Sequence, residues 1–258
     1  MDEIIELNRQ AWNKQARERR RWSTPVSPED IATARGGNPR IILTPDTAVP
    51  AEWLGTLSGR EILCLASAGG QQVPLLAAAG AKVTSFDLSD EQLALDELVA
   101  EREGLAITTI RGDMRNLSVF EDASFDLIVH VCSNVFCPDI HPVWNECFRV
   151  LRPGGDLLAG FMNPDFCLFD WDELERGEEP TIRYPLPYSD HERLSPERRQ
   201  QLIEDGEALA FSHSLTEQIG GQLAAGFHLL GFYEDTWEGN ELAKWFRTAM
   251  STRARKPS

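Results

Sequence analysis

Between Arg60 and Phe161 short apolar runs alternate with stretches of helical character. Glu61 to Leu65 reads as a strand, bounded by Gly59 before it and a turn of small residues after it. Gln72 to Ala79 is apolar and Ala-rich, carries Pro74 in its first turn and stops at Gly80, which predicts a helix. Lys82 to Leu88 is the next strand. Ser89 with Gln92 forms an S-x-x-Q capping box on a helix that sets Leu95, Leu98 and Val99 on one side and ends at Gly104. Ala106 to Ile110 is a third strand. Phe125 to Cys132 is a fourth, almost continuously apolar, as a strand covered on both faces should be. Pro142 opens a helix through Leu151, and Arg152-Pro153-Gly154-Gly155 turns the chain into a fifth strand, Asp156 to Met162.

After Met162 the pattern breaks. Asn163 to about Glu207 holds four prolines besides Pro164, an acidic patch (Asp170, Asp172, Glu173, Glu175, Glu178, Glu179) and little periodicity. It reads as an insertion over the C-terminal edge of the sheet. Ala208 to His213 is expected to be a strand, and Ser214 with Glu217 a capping box on a helix ending at Gly226. Phe227 to Tyr233 is then the final strand, paired antiparallel with Ala208 to His213 at the sheet edge. Residues 1–58 read as a helical and irregular cap anchored by Trp12 and Trp22.

Strand, helix, strand with short links implies right-handed parallel crossovers. The expected fold is therefore α/β: a doubly wound, mostly parallel, seven-stranded Rossmann-like sheet with an antiparallel edge strand. The expected organisation is a single domain, with cap 1–58, core 59–162, insertion or lid 163–207, and the last two strands and tail 208–258.

Composition narrows the partners. A net charge of −16 over 258 residues argues against nucleic acid or an anionic membrane as partner. The basic islands Arg17–Arg21 and Arg253–Lys256 read as solvated helix and tail charge. No apolar stretch follows Asp2 and Glu3 that could serve as signal peptide or membrane span. Five cysteines, an odd number set largely in apolar runs, read as reduced thiols of a cytoplasmic protein. The sequence leaves the oligomeric state open.

The candidate chemistry sits where an open parallel sheet places its ligands, beyond the carboxyl ends of the strands. The first strand runs into Ala66-Ser67-Ala68-Gly69-Gly70-Gln71, small residues that let the backbone approach a ligand. The second ends in Asp87, where a carboxylate can accept from both ribose hydroxyls or can simply cap the next helix. A nicotinamide dinucleotide and S-adenosylmethionine both suit such a site, but the Gly-x-Gly-x-x-Gly turn that seats a pyrophosphate is missing. Three further segments bear on the choice: Arg111-Gly112-Asp113-Met114, Ser124 to Val129, and Phe148 to Gly155 with its Val-Leu-Arg-Pro-Gly-Gly turn.

With these segments in order, the chain resembles the class I S-adenosylmethionine-dependent methyltransferases, closely over Gly59 to Met162 and loosely over the last two strands. The resemblance implies that Ala66, Ser67, Ala68, Gly69, Gly70 and Gln71 cradle the methionine part. It implies that Asp87, beside Leu88, binds ribose, and that Gly112-Asp113 meets the adenine amino group with Met114 packing nearby. Cys132 would border the cofactor, and the product would be S-adenosyl-L-homocysteine. The turn at Arg152 to Gly155 is frequent in the small-molecule branch, and Leu-Cys-Leu-Ala…Gly-Gly-Gln-Gln resembles one bacterial subgroup. The chain departs from the family at Cys64, where an acid is usual, and at Ala66 and Ala68, where glycines are usual. Alanines fit there if their φ angles are negative, and Gln71 or Gln72 is placed to compensate for the missing charge.

In that family the segment after the fourth strand, here Cys132 to His141, faces cofactor and acceptor. His141 is the first candidate for a general base, with Asn134 beside it, although a histidine just before Pro142 also suits a helix cap. His130, inside a strand, reads as a core histidine. Ser133, Asn134, Phe136, Asn163 and Tyr188 are the expected acceptor pocket, with the insertion as its lid. His130, Cys132, Cys137 and His141 match no common zinc spacing, so no metal is expected. The function read is methyl transfer from S-adenosylmethionine to a small molecule. The alternatives are an NAD-dependent oxidoreductase and a catalytically silent protein that binds S-adenosylmethionine or S-adenosylhomocysteine.

Overall fold

The computed structural model describes residues 2–258. The apolar runs form the strands β1 (Glu61–Leu65), β2 (Lys82–Asp87), β3 (Ile107–Arg111), β4 (Phe125–His130) and β5 (Leu151–Met162), followed by β6 (His228–Asp235) and β7 (Ala249–Arg255). They make one seven-stranded sheet in the order β3-β2-β1-β4-β5-β7-β6. The first five pair in parallel, and β7 runs antiparallel to both β5 and β6. Strand order reverses between β1 and β4, which puts the ligand crevice beyond their carboxyl ends.

Residues 62 to 65 of β1 are fully buried, because helices cover both faces of the sheet. Ile62 and Cys64 pack with Ile31 and Ala34 of α2 (Pro28–Arg35) and Val73 and Leu76 of α3 (Gln72–Ala78). Leu63 and Leu65 face the other way, onto Val143, Trp144 and Cys147 of α5 (His141–Val150). Of two further long helices, α4 (Asp90–Glu103) packs on β2 and β3, and α1 (Asp2–Arg17) packs on α4. Within α4, Leu98 is exposed rather than buried beside Leu95 and Val99. Among the described residues no helix is long and apolar enough to cross a membrane.

Several expectations give way. Ala208 to His213 is not a strand of the sheet; it makes one isolated bridge, Phe211 to Ser189. Leu209 and Phe211 are buried against Ile4 and Ile203, and the Asn8 amide both accepts from the Leu209 N–H (2.7 Å) and donates to its carbonyl (3.1 Å). A side chain thus meets polar groups that a neighbouring strand would otherwise take. The final strand is instead β7, which takes in Arg253 to Arg255 of the basic island read as tail. Arg253 and Arg255 both bond the buried Asp156 carboxylate, at 2.9 and 2.8 Å, and Lys256 Nζ donates to the carbonyls of Phe148 and Leu151 at the end of α5. The other island is also engaged: Arg17, Arg20 and Arg21 pair with Glu91, Glu207 and Asp46.

Arg152 to Gly155 does not precede β5 but bulges within it, since Phe125 pairs with Leu151 and Leu127 already with Asp156. The insertion leaves the carboxyl end of β5 and is more regular than read. It contains α6 (Pro196–Asp205), whose Ser195 N-cap accepts from the Arg198 N–H. The Ser214–Glu217 capping box is complete, with both reciprocal bonds made.

Candidate active site

One cavity of about 460 Å³ opens beyond the carboxyl ends of β1, β2, β3 and β4. At one end lie Ala66, Ser67, Ala68, Gln71, Asp87, Leu88, Gly112, Asp113 and Met114, with Cys132, Ser133 and Phe136 along its side. The insertion closes the other end with Phe166, Cys167, Phe169, Trp171, Tyr184 and Tyr188, while Trp12 and Trp22 of the cap and Trp237 complete the wall. Ten of the twelve expected cofactor positions, all but Gly69 and Gly70, thus meet around one space.

The loop after β1 is held from behind. The Gly69 N–H donates to Gln92 Oε1 and the Gly70 N–H to Asp96 Oδ1, both at 2.7 Å. Gly69 and Gly70 therefore brace the loop and do not line the cavity, a correction to their expected role. A Cβ on Gly69 would lie 2.0 Å from the Gln92 carbonyl oxygen, so only glycine permits this approach. Gln92 also donates to Ser23 Oγ (2.6 Å), and Asp96 accepts from Ser85 Oγ (2.7 Å). The Ser89 capping box is consequently half made: Ser89 Oγ accepts from the Gln92 N–H, but the Gln92 side chain serves the loop.

Ala66 and Ala68 have φ angles of 43° and 61°, so the condition of negative φ under which alanines fit there is not met. Gln71 does not supply a replacement charge; its amide donates to the carbonyls of Arg21 and Thr24, and Gln72 accepts from the Ile42 N–H. Asp96 stands close enough to Cys64, the position of the missing acid, that it adds to burial in pushing the thiol up. Gln92 and Asp96 were missed by sequence reasoning, yet a signal existed: two polar residues spaced i, i+4 on the buried side of a helix.

Asp87 ends β2 and lines the cavity, with Oδ1 accepting from the Ser89 N–H at 2.8 Å. Burial pushes its carboxyl up to about 6. Asp113 is clasped by Arg115, whose Nε lies 2.9 Å from Oδ2 and whose backbone N–H is 3.0 Å from Oδ1.

The expected catalytic pair is not brought to the cavity. His141 is exposed at the start of α5, its Nδ1 3.0 Å from Asp139 Oδ1, and does not line the space. Asn134 is fully buried, accepting from His130 Nε2 (2.7 Å) and donating to Gln218 Oε1 (2.8 Å), so it lines no pocket either. Burial of His130 holds its pKa below the usual imidazole value, keeping this network neutral. Asn163 leaves the pocket as well: its amide donates to the Arg247 carbonyl and caps the turn at Asp165. Ser133, Phe136 and Tyr188 do line the cavity.

Residues 63–159 match the family described as a methyltransferase domain. The chain is 45% identical over 256 residues to the uncharacterized methyltransferase YbaJ of Bacillus subtilis, spanning 99% of this chain and 100% of that one. It is 33% identical over 182 residues to an arsenite methyltransferase of Aquipseudomonas alcaligenes, covering 64% of this chain and 51% of the relative. In fold it is similar to an S-adenosylmethionine dependent methyltransferase from Mesorhizobium loti, with TM-score 0.58, 17% identity, and coverage of 79% and 94% of the two chains.

Proposed function

The chain belongs to the class I S-adenosylmethionine-dependent methyltransferases, and on that premise we propose that it transfers the cofactor's methyl group to a small molecule enclosed by the lid. The observation that carries the cofactor assignment is where the loop N–H groups go. A dinucleotide needs free N–H groups to seat its pyrophosphate. Here those of Gly69 and Gly70 are already given to Gln92 and Asp96. Seven carboxylates and one guanidinium line the cavity (Asp87, Asp113, Asp170, Asp172, Glu175, Asp190 and Glu207 against Arg198), a field that opposes a pyrophosphate and suits a sulfonium with its ammonium.

In this reading Asp87 accepts the ribose hydroxyls, Asp113 the adenine amino group, Leu88 and Met114 pack on the base, and Ala66 to Ala68 with Gln71 border the methionine part. Cys132, with its thiol pushed up by burial, is a neutral wall. S-adenosylmethionine supplies a methyl carbon already activated by its sulfonium. The work left to the protein is to hold the acceptor in line with it and to exclude water. The rings of Phe166, Phe169 and Trp171 do the second, and neither His141 nor Asn134 is needed for the first. Small-molecule transfer follows from the enclosed volume, with the lid over its acceptor end.

Calorimetry with S-adenosylmethionine, S-adenosylhomocysteine and NAD tests the assignment. The two sulfur ligands should bind and NAD should bind more weakly; tighter NAD binding would overturn it.

A further inference from the structure

We propose that the acceptor is a small organic amine, recognised in its cationic form by the aromatic and carboxylate wall of the lid; this rests on the methyltransferase reading above. The wall is assembled from three separate parts of the chain. Trp22 comes from the cap, Phe166 and Trp171 from the lid, and Trp237 from the segment after β6. Their centroids are 5.8 Å apart for Trp22–Trp237, 5.6 Å for Trp171–Trp237 and 5.1 Å for Phe166–Trp171, a continuous cluster of rings on the cavity wall. Ring faces attract organic cations, and more strongly in a desolvated site. One cation already uses this cluster from the loop side, where the Arg21 guanidinium sits 4.6 Å from the Trp22 ring centroid and 5.5 Å from that of Trp237.

The second observation is Asp190. It lines the same cavity, is only 8% exposed, and its partners are neutral: the Tyr188 hydroxyl at 2.6 Å and the Ala210 N–H at 2.6 Å. It makes no ion pair among the described residues: the one cavity-lining guanidinium, Arg198, is near enough to be felt by Asp190 but is bonded to Asp172. Tyr184, 5.0 Å from Tyr188 between ring centroids, donates to Asp170 in the same way. A buried carboxylate held only by neutral donors, on the wall of a ring-lined space, leaves room for a cationic partner of its own.

The direction of charge flow selects nitrogen. The ammonium recognised by the wall gives up its proton to water before transfer, which leaves the bound nitrogen neutral with its lone pair free. The nitrogen lone pair then forms the bond to the methyl carbon, while the sulfur–carbon bond breaks with its electron pair kept by sulfur. The positive charge passes from sulfur to the methylated nitrogen. Carboxylates and ring faces at the lid end stabilise that charge where it arrives, and so act more strongly on the transition state than on the bound neutral amine. A phenolate or carboxylate acceptor would instead enter against the negative field and finish neutral, gaining nothing from the wall.

The test uses the full chain and two probes of similar size, benzyltrimethylammonium and phenylacetate, titrated with and without S-adenosylhomocysteine and read by tryptophan fluorescence and calorimetry. The ammonium should bind at least about tenfold tighter than the carboxylate, and Trp171→Leu should weaken it about fivefold or more. Phenylacetate binding as tightly, no detectable ammonium binding, or an unchanged ammonium affinity in Trp171→Leu would each overturn the proposal. S-adenosylhomocysteine affinity is measured in the same experiment. Its presence without an ammonium preference removes only the amine, while its absence removes the cofactor reading.

Discussion

Ala66→Gly and Ala68→Gly, made singly and together, should stabilise the protein, opposite to the usual effect of introducing glycine. At φ of 43° and 61° both alanines occupy the left-handed region. An L side chain pays about 1–2 kcal/mol there through the approach of Cβ to the following carbonyl. Glycine removes that strain but enlarges the freedom of the unfolded chain, at about 0.4–1 kcal/mol. Each methyl lost also forfeits part of the ~0.8 kcal/mol of a fully buried carbon, a part only, since both residues are half-buried at the cavity wall. The balance is a gain of about 0.5 kcal/mol per site and about 1 kcal/mol for the pair, or about 2–4 °C in Tm for a chain of this size. Urea unfolding at constant slope, with thermal melts in parallel, measures it. At an ordinary negative φ the same exchange would cost about 1 kcal/mol per site. A double variant destabilised by ~1 kcal/mol or more would therefore refute the left-handed backbone and the account of the loop built on it.

Other outcomes follow from the carboxylates. Asp87→Ala should weaken S-adenosylhomocysteine binding by about 1–3 kcal/mol in calorimetry and leave the fold intact, the cost of stranding hydrogen-bonded hydroxyls. With the Asp87 carboxyl pushed up to about 6, cofactor affinity should rise as pH increases through that value, and Asp87→Asn should flatten the profile. Asp96 is raised by burial from 3.8 to about 7, so its protonated form favours the folded state. That stability is present below the unfolded value and is lost as pH rises from about 4 to about 7; Asp96→Asn should reduce this slope in Tm against pH. Asp156→Ala removes the shared partner of Arg253 and Arg255 and should cost about 2–3 kcal/mol in urea unfolding.

The core of the sheet was readable because burial on both faces leaves little choice of residue: Glu61 to Leu65 and Phe125 to His130 can hardly be anything but inner strands. The edge was not. In β7, Ser251 and Thr252 are fully buried between two neighbouring strands, and Arg253 and Arg255 follow them on either side of Ala254. Such a run resembles a solvated tail until the distant Asp156 is known. Ala208 to His213 misled in the opposite direction, for its alternating Leu209 and Phe211 are buried beneath α1 and α6 and mimic the period of a strand. In the site, positions fixed by strand ends (Asp87, Gly112, Asp113) were legible from local spacing. His141 and Asn134 were not, because which way a side chain leaves a short loop depends on partners far away in sequence, Gln218 among them. The aromatic wall joins residues 22, 166, 171 and 237, and no local pattern links them.

The place of β7 has a consequence for synthesis. It is the last strand to be made, yet it sits between β5 and β6. A chain that ends between residues 236 and 248 holds β6 complete with no neighbour on either side. That strand carries Leu229, Leu230 and Phe232, each more than a third exposed even in the finished fold. Such a fragment presents an apolar strand with two open edges in want of its middle partner, the arrangement most prone to pair with a strand of another chain. Release of fragments ending in that window should yield aggregates, whereas fragments ending before residue 228 lack β6 and leave β5 as the open edge of the parallel half.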